Sequence, residues 1–461
     1  MNIAVIGTGW VGATHAAVMA FFGHEVFAYD VNKEKVADFS SGREERIDKH
    51  VFEPELSHLI KSHQDTLKFT TNFEALRKFL DQTDVIFLCL PTPSQELALP
   101  YHQRSLFTAL KPISELLSKR NNGIQSKYIL VVTKSTAPIG TADLIKKELE
   151  SNKIKNFGVA SNPEFLAEGK AVSGSQNPDR VVIGVSSETD EQILRNVYRH
   201  LSGQKFKVMK PADAEAVKLL SNYELFTRIV MTYQVAGRLC ELIPELTFEN
   251  VMNGVTSDER IPKWGHFTSL YAGGSCFKKD AESLLKTVSN HSDVEYTKEF
   301  LRISIDGNED QLKRFYKRAK EAKFEFKNKI IAMLGTSFKQ GTNDVRGSPS
   351  LILTEWLSKD GVKTIKAYDP KGGLNYKSYF KNKPEEKKIT ICKNAKEALM
   401  GTDACIICTD WPEFKFLTQY FLELKKPYLI MDGRRSLSKD YKELNKAGLA
   451  IIAVGSPYIS A

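Results

Sequence analysis

Residues 3–12 read Ile3-Ala4-Val5-Ile6-Gly7-Thr8-Gly9-Trp10-Val11-Gly12. The apolar run predicts a short buried strand, and residues 13–22 predict a helix directly after it. The three glycines permit a tight turn and let backbone N–H groups approach a pyrophosphate at the helix N-terminus. The pattern indicates a dinucleotide-binding βαβ unit, although a purely structural βαβ turn can carry the same glycines.

Asp30 comes at the end of a second predicted strand, residues 25–29. A carboxylate at this point can accept hydrogen bonds from the adenosine ribose and repels a 2′-phosphate. The sequence therefore predicts NAD rather than NADP as the cofactor.

Strands and helices continue to alternate, and a second alternating unit begins at Lys329. Further strands are predicted at residues 84–90, 128–133, 180–184, 330–335, 364–368, 404–409 and 428–431. Between the two units, residues 213–243 contain no proline and have apolar positions at helical spacing, which predicts one long helix. Helical sequence is predicted again at residues 281–322. The second unit has no Gly-x-Gly-x-x-Gly pattern, so a second dinucleotide site is not implied.

The predicted fold class is α/β, with two Rossmann-like doubly wound domains joined by a long central helix. Residues 1–210 would form a dinucleotide-binding domain and residues 211–322 a central helical dimerisation region. Residues 323–461 would form the second Rossmann-like domain.

Residues 273–280 read Gly273-Gly274-Ser275-Cys276-Phe277-Lys278-Lys279-Asp280. Glycines leave room for a ligand, and nearby cations favour the nucleophilic thiolate form of a cysteine. A carboxylate four residues after the thiol can orient water or act as a base. These features favour a nucleophilic Cys276 over the alternative of a buried cysteine in a glycine-rich turn.

Other polar residues lie where the predicted strands end, the edge at which ligands of open α/β sheets bind. Thr136 and the segment 164–168 occupy such positions, and their alternative role is a loop or helix cap. Lys218 and Asn222 are four residues apart and share one helix face, which could also be a solvated face. Lys339 and Arg435 could hold a diphosphate or be ordinary surface charge.

Composition narrows the function classes. The net charge of +9 comes without a dense basic block, so a polyanionic small molecule explains it as well as nucleic acid or a membrane surface would. The six scattered cysteines suit a reducing compartment, and we expect a cytoplasmic protein. The sequence contains no apolar run of about 18 residues, so no membrane span is predicted. The first residues already predict a strand, and we therefore expect no signal peptide. Cys405 and Cys408 form a C-x-x-C inside an apolar run, which favours a buried strand over a metal or redox site.

The chain resembles the nucleotide-sugar (UDP-glucose/GDP-mannose) dehydrogenase family over nearly its whole length. The markers, in the family's order, are the glycine fingerprint with Asp30, Glu53-Pro54, Lys134-Ser135-Thr136, Asn162-Pro163-Glu164-Phe165-Leu166, Lys218 with Asn222, the cysteine octet, Phe338-Lys339, Asp344-x-Arg346 and Asp432-Gly433-Arg434-Arg435. The resemblance implies oxidation of a sugar CH2OH to a carboxylate in two NAD-dependent steps through a thioester. It also implies a homodimer or higher homo-oligomer.

The resemblance also implies site residues by position. The implied catalytic residues are Cys276, Lys218, Asn222, Asp280, Glu164 and Thr136. The implied cofactor contacts are Gly7, Gly9, Trp10, Val11, Gly12, Asp30, Lys35, Thr136, Glu168, Lys279 and Arg346. The implied contacts of the nucleotide sugar are Glu164, Phe165, Leu166, Lys218, Asn222, Arg260, Tyr271, Gly273, Phe338, Lys339 and Arg435. No metal, nucleic acid or membrane partner is implied.

Two departures from the family pattern bear on the substrate. Tyr271-Ala272 stands where the family has Gly-Phe, and Pro262 replaces a glycine after Arg260-Ile261. UDP-glucose oxidised to UDP-glucuronate is the expected reaction. GDP-mannose or another nucleotide sugar remains an alternative substrate, and a catalytically silent binding protein remains an alternative function.

Overall fold

The computed structural model describes residues 1–93, 95–96, 99–120, 127–267, 269–424 and 427–461. The chain divides into two compact units, Met1–Ser221 and Asn222–Ala461. Each unit is built on a single sheet. The three-domain division at residues 210 and 322 stays a prediction.

Unit 1 contains an eight-stranded sheet in the order β3-β2-β1-β4-β5-β6-β7-β8, in which only the β6–β7 pairing is antiparallel among the described residues. Its strands are β1 Asn2–Ile6, β2 Glu25–Tyr29, β3 Leu67–Thr70, β4 Val85–Leu88, β5 Ile129–Thr133, β6 Phe157–Ser161, β7 Val181–Gly184 and β8 Phe206–Met209. Its helices are α1 Trp10–Phe21, α2 Lys33–Ser40, α3 Glu44–Ile47, α4 Leu56–Ser62, α5 Phe73–Leu80, α6 Ser105–Arg120, α7 Thr141–Ser151, α8 Ala171–Gln176 and α9 Glu188–Val197.

Helices cover both faces of this sheet. Alternate side chains of its central strands point to opposite faces, so each face presents apolar side chains that need to be buried. Ile3 and Val5 of β1 pack in one core with α1, whereas Ala4 and Ile6 pack in the core on the other face. A strand that is buried on both faces reads as a continuous apolar run. That is why the sequence identified β1 correctly.

Unit 2 contains a six-stranded parallel sheet in the order β11-β10-β9-β12-β13-β14. Its strands are β9 Ile330–Leu334, β10 Thr364–Tyr368, β11 Ile389–Ile391, β12 Ala404–Ile407, β13 Tyr428–Asp432 and β14 Leu449–Ala453. The helices from residue 211 onward are α10 Pro211–Met231, α11 Arg238–Leu242, α12 Phe248–Val255, α13 Phe277–Val288, α14 Glu295–Glu321, α15 Pro349–Lys359, α16 Gly373–Tyr379, α17 Ala395–Leu399, α18 Thr418–Leu422 and α19 Tyr441–Lys446. Cys405 lies in β12 and Cys408 just after it, and both are buried as predicted.

The predicted helix 213–243 is present but not uniform. Helix α10 is followed by a π-helical turn, Thr232–Gly237, and then by α11. The predicted helical stretch 281–322 is interrupted between α13 and α14, where Asp293 adopts a left-handed φ of 58°. A left-handed residue cannot continue a right-handed helix, so α13 and α14 cannot form one continuous helix. With 27 residues, α14 is the longest helix described.

Among the described residues, no helix combines the length and apolar character needed to cross a membrane.

Replacing Gly12 with Ala should destabilise the protein, because an added Cβ would lie 1.9 Å from the carbonyl oxygen of Gly7. Overpacking of this kind costs about 1–3 kcal/mol, so thermal unfolding of the ligand-free protein should occur several degrees lower. Gly9→Ala is the matched control: its φ is −67°, and no described atom lies within 4 Å of the added Cβ. Equal melting temperatures for the two variants would contradict the close approach of Gly12 to Gly7.

Candidate active site

The fingerprint loop connects β1 to α1 and has the geometry of a dinucleotide turn. Gly7 adopts a φ of 91°, and its N–H donates to the carbonyl of Tyr29 at 2.8 Å. Helix α1 begins after Gly9 without a side-chain cap. Its first N–H groups are therefore available to a pyrophosphate, as the glycine pattern predicted.

Asp30 lies beside this loop and is held as a carboxylate. It accepts hydrogen bonds from the N–H of Thr8 (2.8 Å), the hydroxyl of Thr8 (2.9 Å), the N–H of Asn32 (2.9 Å) and the ammonium of Lys35 (3.1 Å). Burial acts to raise the pKa of Asp30, but the Asn32 and Thr8 N–H donors and the Lys35 ammonium outweigh it, and the pKa is lowered. The negative charge that would disfavour a 2′-phosphate is thus fixed in place.

Glu53 connects the fingerprint loop to a second loop, a role that sequence reasoning missed. Its buried carboxylate accepts hydrogen bonds from the indole N–H of Trp10 (2.7 Å), the N–H of Gly169 (2.6 Å) and the N–H of Ala171 (2.9 Å). Gly169 directly follows Glu168, one of the predicted cofactor contacts, which is half-buried. The Glu53-Pro54 pair was the only signal in the sequence, and it named no partner.

The end of β6 carries the predicted acid/base residue, Glu164. The ammonium of Lys218, on α10, lies 3.1 Å from its carboxylate, and the two side chains are 4% and 7% exposed. Glu164 also accepts the N–H of Leu166 at 2.6 Å, and the Phe165 ring lies beneath the Lys218 ammonium at 5.4 Å. The structure therefore brings together four of the predicted site residues within unit 1.

Lys134 supports this segment from the end of β5, and the sequence did not assign it a role. Its ammonium donates to the side-chain oxygen of Asn162 (3.0 Å) and to the hydroxyl of Tyr198 (3.2 Å). The amide group of Asn162 donates to Val182 at 2.8 Å. Burial lowers the pKa of Lys134 to about 8. This buried network fixes the backbone two residues before Glu164.

A cavity of about 180 Å³ opens beside these groups. Its lining includes His15, Lys134, Asn162, Glu164, Phe165 and Arg180. Thr136, predicted to act at the site, lies in the loop after β5, where its carbonyl accepts a hydrogen bond from the Thr92 hydroxyl at 2.6 Å.

Cys276 occupies the N-cap position of α13 in unit 2 and is exposed. Partial positive charge at a helix N-terminus stabilises an anion such as a thiolate. The Ser275 hydroxyl lies 3.8 Å from the Cys276 sulfur. The other five cysteines are buried, so position alone separates Cys276 from them.

Asp280 lies one turn further along α13 and is completely buried. The side-chain amide of Asn222 donates to one carboxylate oxygen and the ammonium of Lys279 to the other, each at 2.5 Å. Lys279 was predicted to contact the cofactor, and in the structure its ammonium neutralises Asp280. A buried carboxylate needs such partners, because an unpaired charge away from water is costly.

The glycines before Cys276 make room for the Phe338 loop. A Cβ on Gly273 would lie 2.5 Å from the Gly347 carbonyl, and one on Gly274 would lie 2.9 Å from the Phe338 ring. The Lys339 ammonium lies 5.6 Å from the centre of the Phe338 ring. The structure thus places two predicted substrate contacts, Gly273 and Phe338, against each other.

Three other predicted contacts have partners of their own. Arg346 forms a bidentate pair with Asp344. Arg260 is 84% exposed and pairs with Asp258. The hydroxyl of the buried Tyr271 donates to Glu309 at 2.7 Å.

The side chain of Arg435 is 7% exposed, so it is not an ordinary surface charge. Its guanidinium pairs bidentately with Glu249 at 2.8 and 2.7 Å. It also donates to the carbonyls of Val454 and Gly455, both at 3.1 Å. Glu249 lies 186 residues away, and no sequence pattern pointed to it.

Comparisons with known proteins agree with this architecture. Three domain models of one family match the chain: "UDP-glucose/GDP-mannose dehydrogenase family, NAD binding domain" at residues 1–202, the family's central domain at residues 212–309, and its UDP binding domain at residues 332–439. The UDP-glucose 6-dehydrogenase of Rickettsia conorii is 34% identical over 463 residues, covering 99% of this chain and 100% of the relative. That of Bacillus subtilis is 32% identical over 460 residues, covering 99% and 98%.

A solved structure of similar fold is a UDP-glucose dehydrogenase from the hyperthermophilic archaeon Pyrobaculum islandicum. It has a TM-score of 0.83 and 26% sequence identity, and the match covers 99% of this chain and 97% of that one.

Brief alkylation of the native protein with iodoacetamide should modify one cysteine, Cys276, because thiolates react fastest and the other five thiols are buried. Peptide mass spectrometry measures the modified positions. Cys276→Ser should leave the native protein unmodified, whereas Cys392→Ser, which removes a buried thiol, should leave labelling unchanged. Labelling of a different cysteine first would contradict the structural assignment.

Proposed function

The chain belongs to the UDP-glucose/GDP-mannose dehydrogenase family, and on that premise we propose that it oxidises UDP-glucose to UDP-glucuronate with two molecules of NAD. The observation that carries the proposal is the arrangement on α13: an exposed Cys276 at the helix N-terminus, with the buried Asp280 one turn later. The full-length match to UDP-glucose 6-dehydrogenases supports the choice of substrate.

NAD, when bound, accepts a hydride from the sugar carbon in each of the two oxidations. The residues present fit this cofactor. Helix α1 begins without a side-chain cap, and Gly12 leaves no room for a side chain near Gly7. Asp30, which is ionised and paired with Lys35, would accept hydrogen bonds from the ribose hydroxyls.

The chain's own groups account for the remaining chemistry. The first oxidation converts the C6 alcohol to an aldehyde, and the Cys276 thiolate adds to its carbon to give a thiohemiacetal. The second oxidation gives a thioester. Water then cleaves the carbon–sulfur bond, which yields the carboxylate and returns the thiol. The covalent intermediate replaces one difficult step, the direct oxidation of an aldehyde hydrate, with two easier steps.

We assign roles to four further side chains. Glu164 acts as the general acid/base, and its carboxylate is already paired with an ammonium. Lys218 and Asn222 stabilise the oxyanion of each tetrahedral intermediate, since N–H donors held in place are effective for developing charge. Asp280 orients the water that cleaves the thioester.

We also propose that the protein forms a homodimer or higher homo-oligomer. Four apolar side chains recur at helical spacing along α10, the π-helical turn and α11 and are exposed: Met231, Val235, Leu239 and Leu242. Helix α14 exposes Tyr296, Phe300 and Ile303. Exposed apolar stripes of this kind mark interaction surfaces. Full activity with the mass of a single chain by light scattering would contradict the proposal.

None of the six cysteines, all of which the structure describes, forms a disulfide. This suits a reducing compartment, so we propose a cytoplasmic location. Recovery of the native protein in a secreted or membrane fraction would contradict it.

The stoichiometry of NADH tests the proposed reaction. Limiting UDP-glucose with excess NAD should yield about two NADH per sugar, because alcohol to carboxylate is a four-electron change and each hydride carries two electrons. Cys276→Ser should lower kcat by several orders of magnitude, as loss of a nucleophile does elsewhere, and Cys392→Ser should not. GDP-mannose and NADP serve as the competing substrate and cofactor.

Three results would contradict the proposal: one NADH per sugar with a free aldehyde, near-normal turnover by Cys276→Ala, or faster oxidation of GDP-mannose than of UDP-glucose. Binding of both ligands without any NADH would indicate a catalytically silent protein.

A further inference from the structure

Glu215 is a buried carboxylate that none of the assigned roles uses. It lies on α10 and is 2% exposed. Its two oxygens accept hydrogen bonds from the N–H of Gly140 (2.6 Å) and the N–H of Ala142 (2.8 Å). These donors belong to the first turn of α7. A side chain from one helix therefore caps the N-terminus of another.

Helix α7 has no cap of its own. Its N-cap residue is Gly140, which has a φ of 91° and no side chain to accept the first N–H groups. Uncapped N–H groups at a helix N-terminus need an acceptor when they are buried. Glu215 supplies that acceptor, 75 residues away in sequence.

The position of Glu215 connects two parts of the proposed site. Lys218 follows it by three residues, so the two side chains leave α10 on nearly the same face. Lys218 pairs with Glu164 after β6, and Glu215 holds the start of α7. The segment between β5 and α7 contains Thr136. Two carboxylate contacts thus set α10 against the segment after β6 and against the start of α7.

We propose that Glu215 is a positioning residue, which fixes the distance between Lys218 on α10 and the Thr136 loop and thereby sets the rate of the chemical step. The inference rests on the proposed function and extends it to a residue that touches neither substrate nor cofactor. Small displacements of catalytic groups reduce rates strongly while leaving binding intact.

Burial and neighbouring groups set the ionisation of Glu215. Burial raises its pKa to about 7, although the Ala142, Gly140 and Thr141 N–H groups act to lower it. The charged group that faces it from α7 is Asp143, which raises the pKa further. On its own helix, Asp213 precedes it and Lys218 follows, with Lys218 engaged by Glu164.

A carboxyl whose folded pKa exceeds its ordinary value of 4.5 favours the folded state most when it is protonated. That contribution is present below pH 4.5 and is lost as the pH rises to 7. Above pH 7 the ionised carboxylate still accepts both N–H groups, whereas a glutamine offers one acceptor oxygen, so Glu215→Gln should lower the stability modestly.

The test is Glu215→Gln in the full-length protein, assayed with NAD and UDP-glucose above pH 7. We expect kcat to fall about ten- to a hundredfold, KM for both substrates to change less than about twofold, and the melting temperature to fall no more than in the cap control described below. Glu215→Asp keeps the charge on a shorter side chain and should give a kcat between that of Gln and wild type.

Ser187→Ala is the matched control. It removes the Ser187 hydroxyl that accepts the Asp190 N–H at 3.2 Å and caps α9 in the same unit. We expect a lower melting temperature with unchanged kcat. Wild-type kcat in Glu215→Gln, or in Glu215→Asp if the Gln variant does not fold, would overturn the positioning role. A wild-type protein that forms no NADH from UDP-glucose would instead overturn the proposed function.

Discussion

The proposed catalytic arrangement depends on the buried ion pair between Lys218 and Glu164. Two charges that are almost fully removed from water must be paired, because either one alone would cost several kcal/mol. The pair therefore fixes α10 against the end of β6. One turn later, the same helix presents Asn222 to the buried Asp280. Helix α10 thus supplies a cation to Glu164 and a side-chain amide to Asp280. Both contacts are favoured because an unpaired carboxylate buried away from water is costly.

The chemistry of Cys276 follows from its placement at the start of α13. A thiol at a helix N-terminus is both accessible and electrostatically favoured as a thiolate. Gly273 and Gly274 allow the Phe338 loop to pack directly against the segment before it. Cys408, by contrast, lies in an apolar core where burial raises its pKa above the ordinary value. We therefore predict from its exposed location that Cys276 is the reactive thiol, since residue type alone does not distinguish the six cysteines.

Much of the fold could be predicted from the sequence, because buried parallel strands read as apolar runs and the glycine fingerprint has a fixed geometry. Strands β2 and β10 match the predicted bounds to the residue. The π-helical turn and the break at Asp293 were missed, since hydrophobic spacing does not report backbone geometry. The candidate catalytic residues were visible as motifs. Their partners were not: Arg435 binds Glu249 across 186 residues and Glu215 caps α7 across 75, and local patterns carry no record of such pairings.

Trapping the intermediate tests whether a covalent thioester forms on Cys276. Asp280→Asn should slow cleavage of the carbon–sulfur bond more than its formation. After mixing with NAD and UDP-glucose, rapid acid quenching and mass spectrometry of the Cys276 peptide report what the sulfur carries. We expect a burst of NADH accompanied by a UDP-glucuronyl adduct on Cys276. A burst of NADH with the Cys276 peptide unmodified at every time point would contradict it.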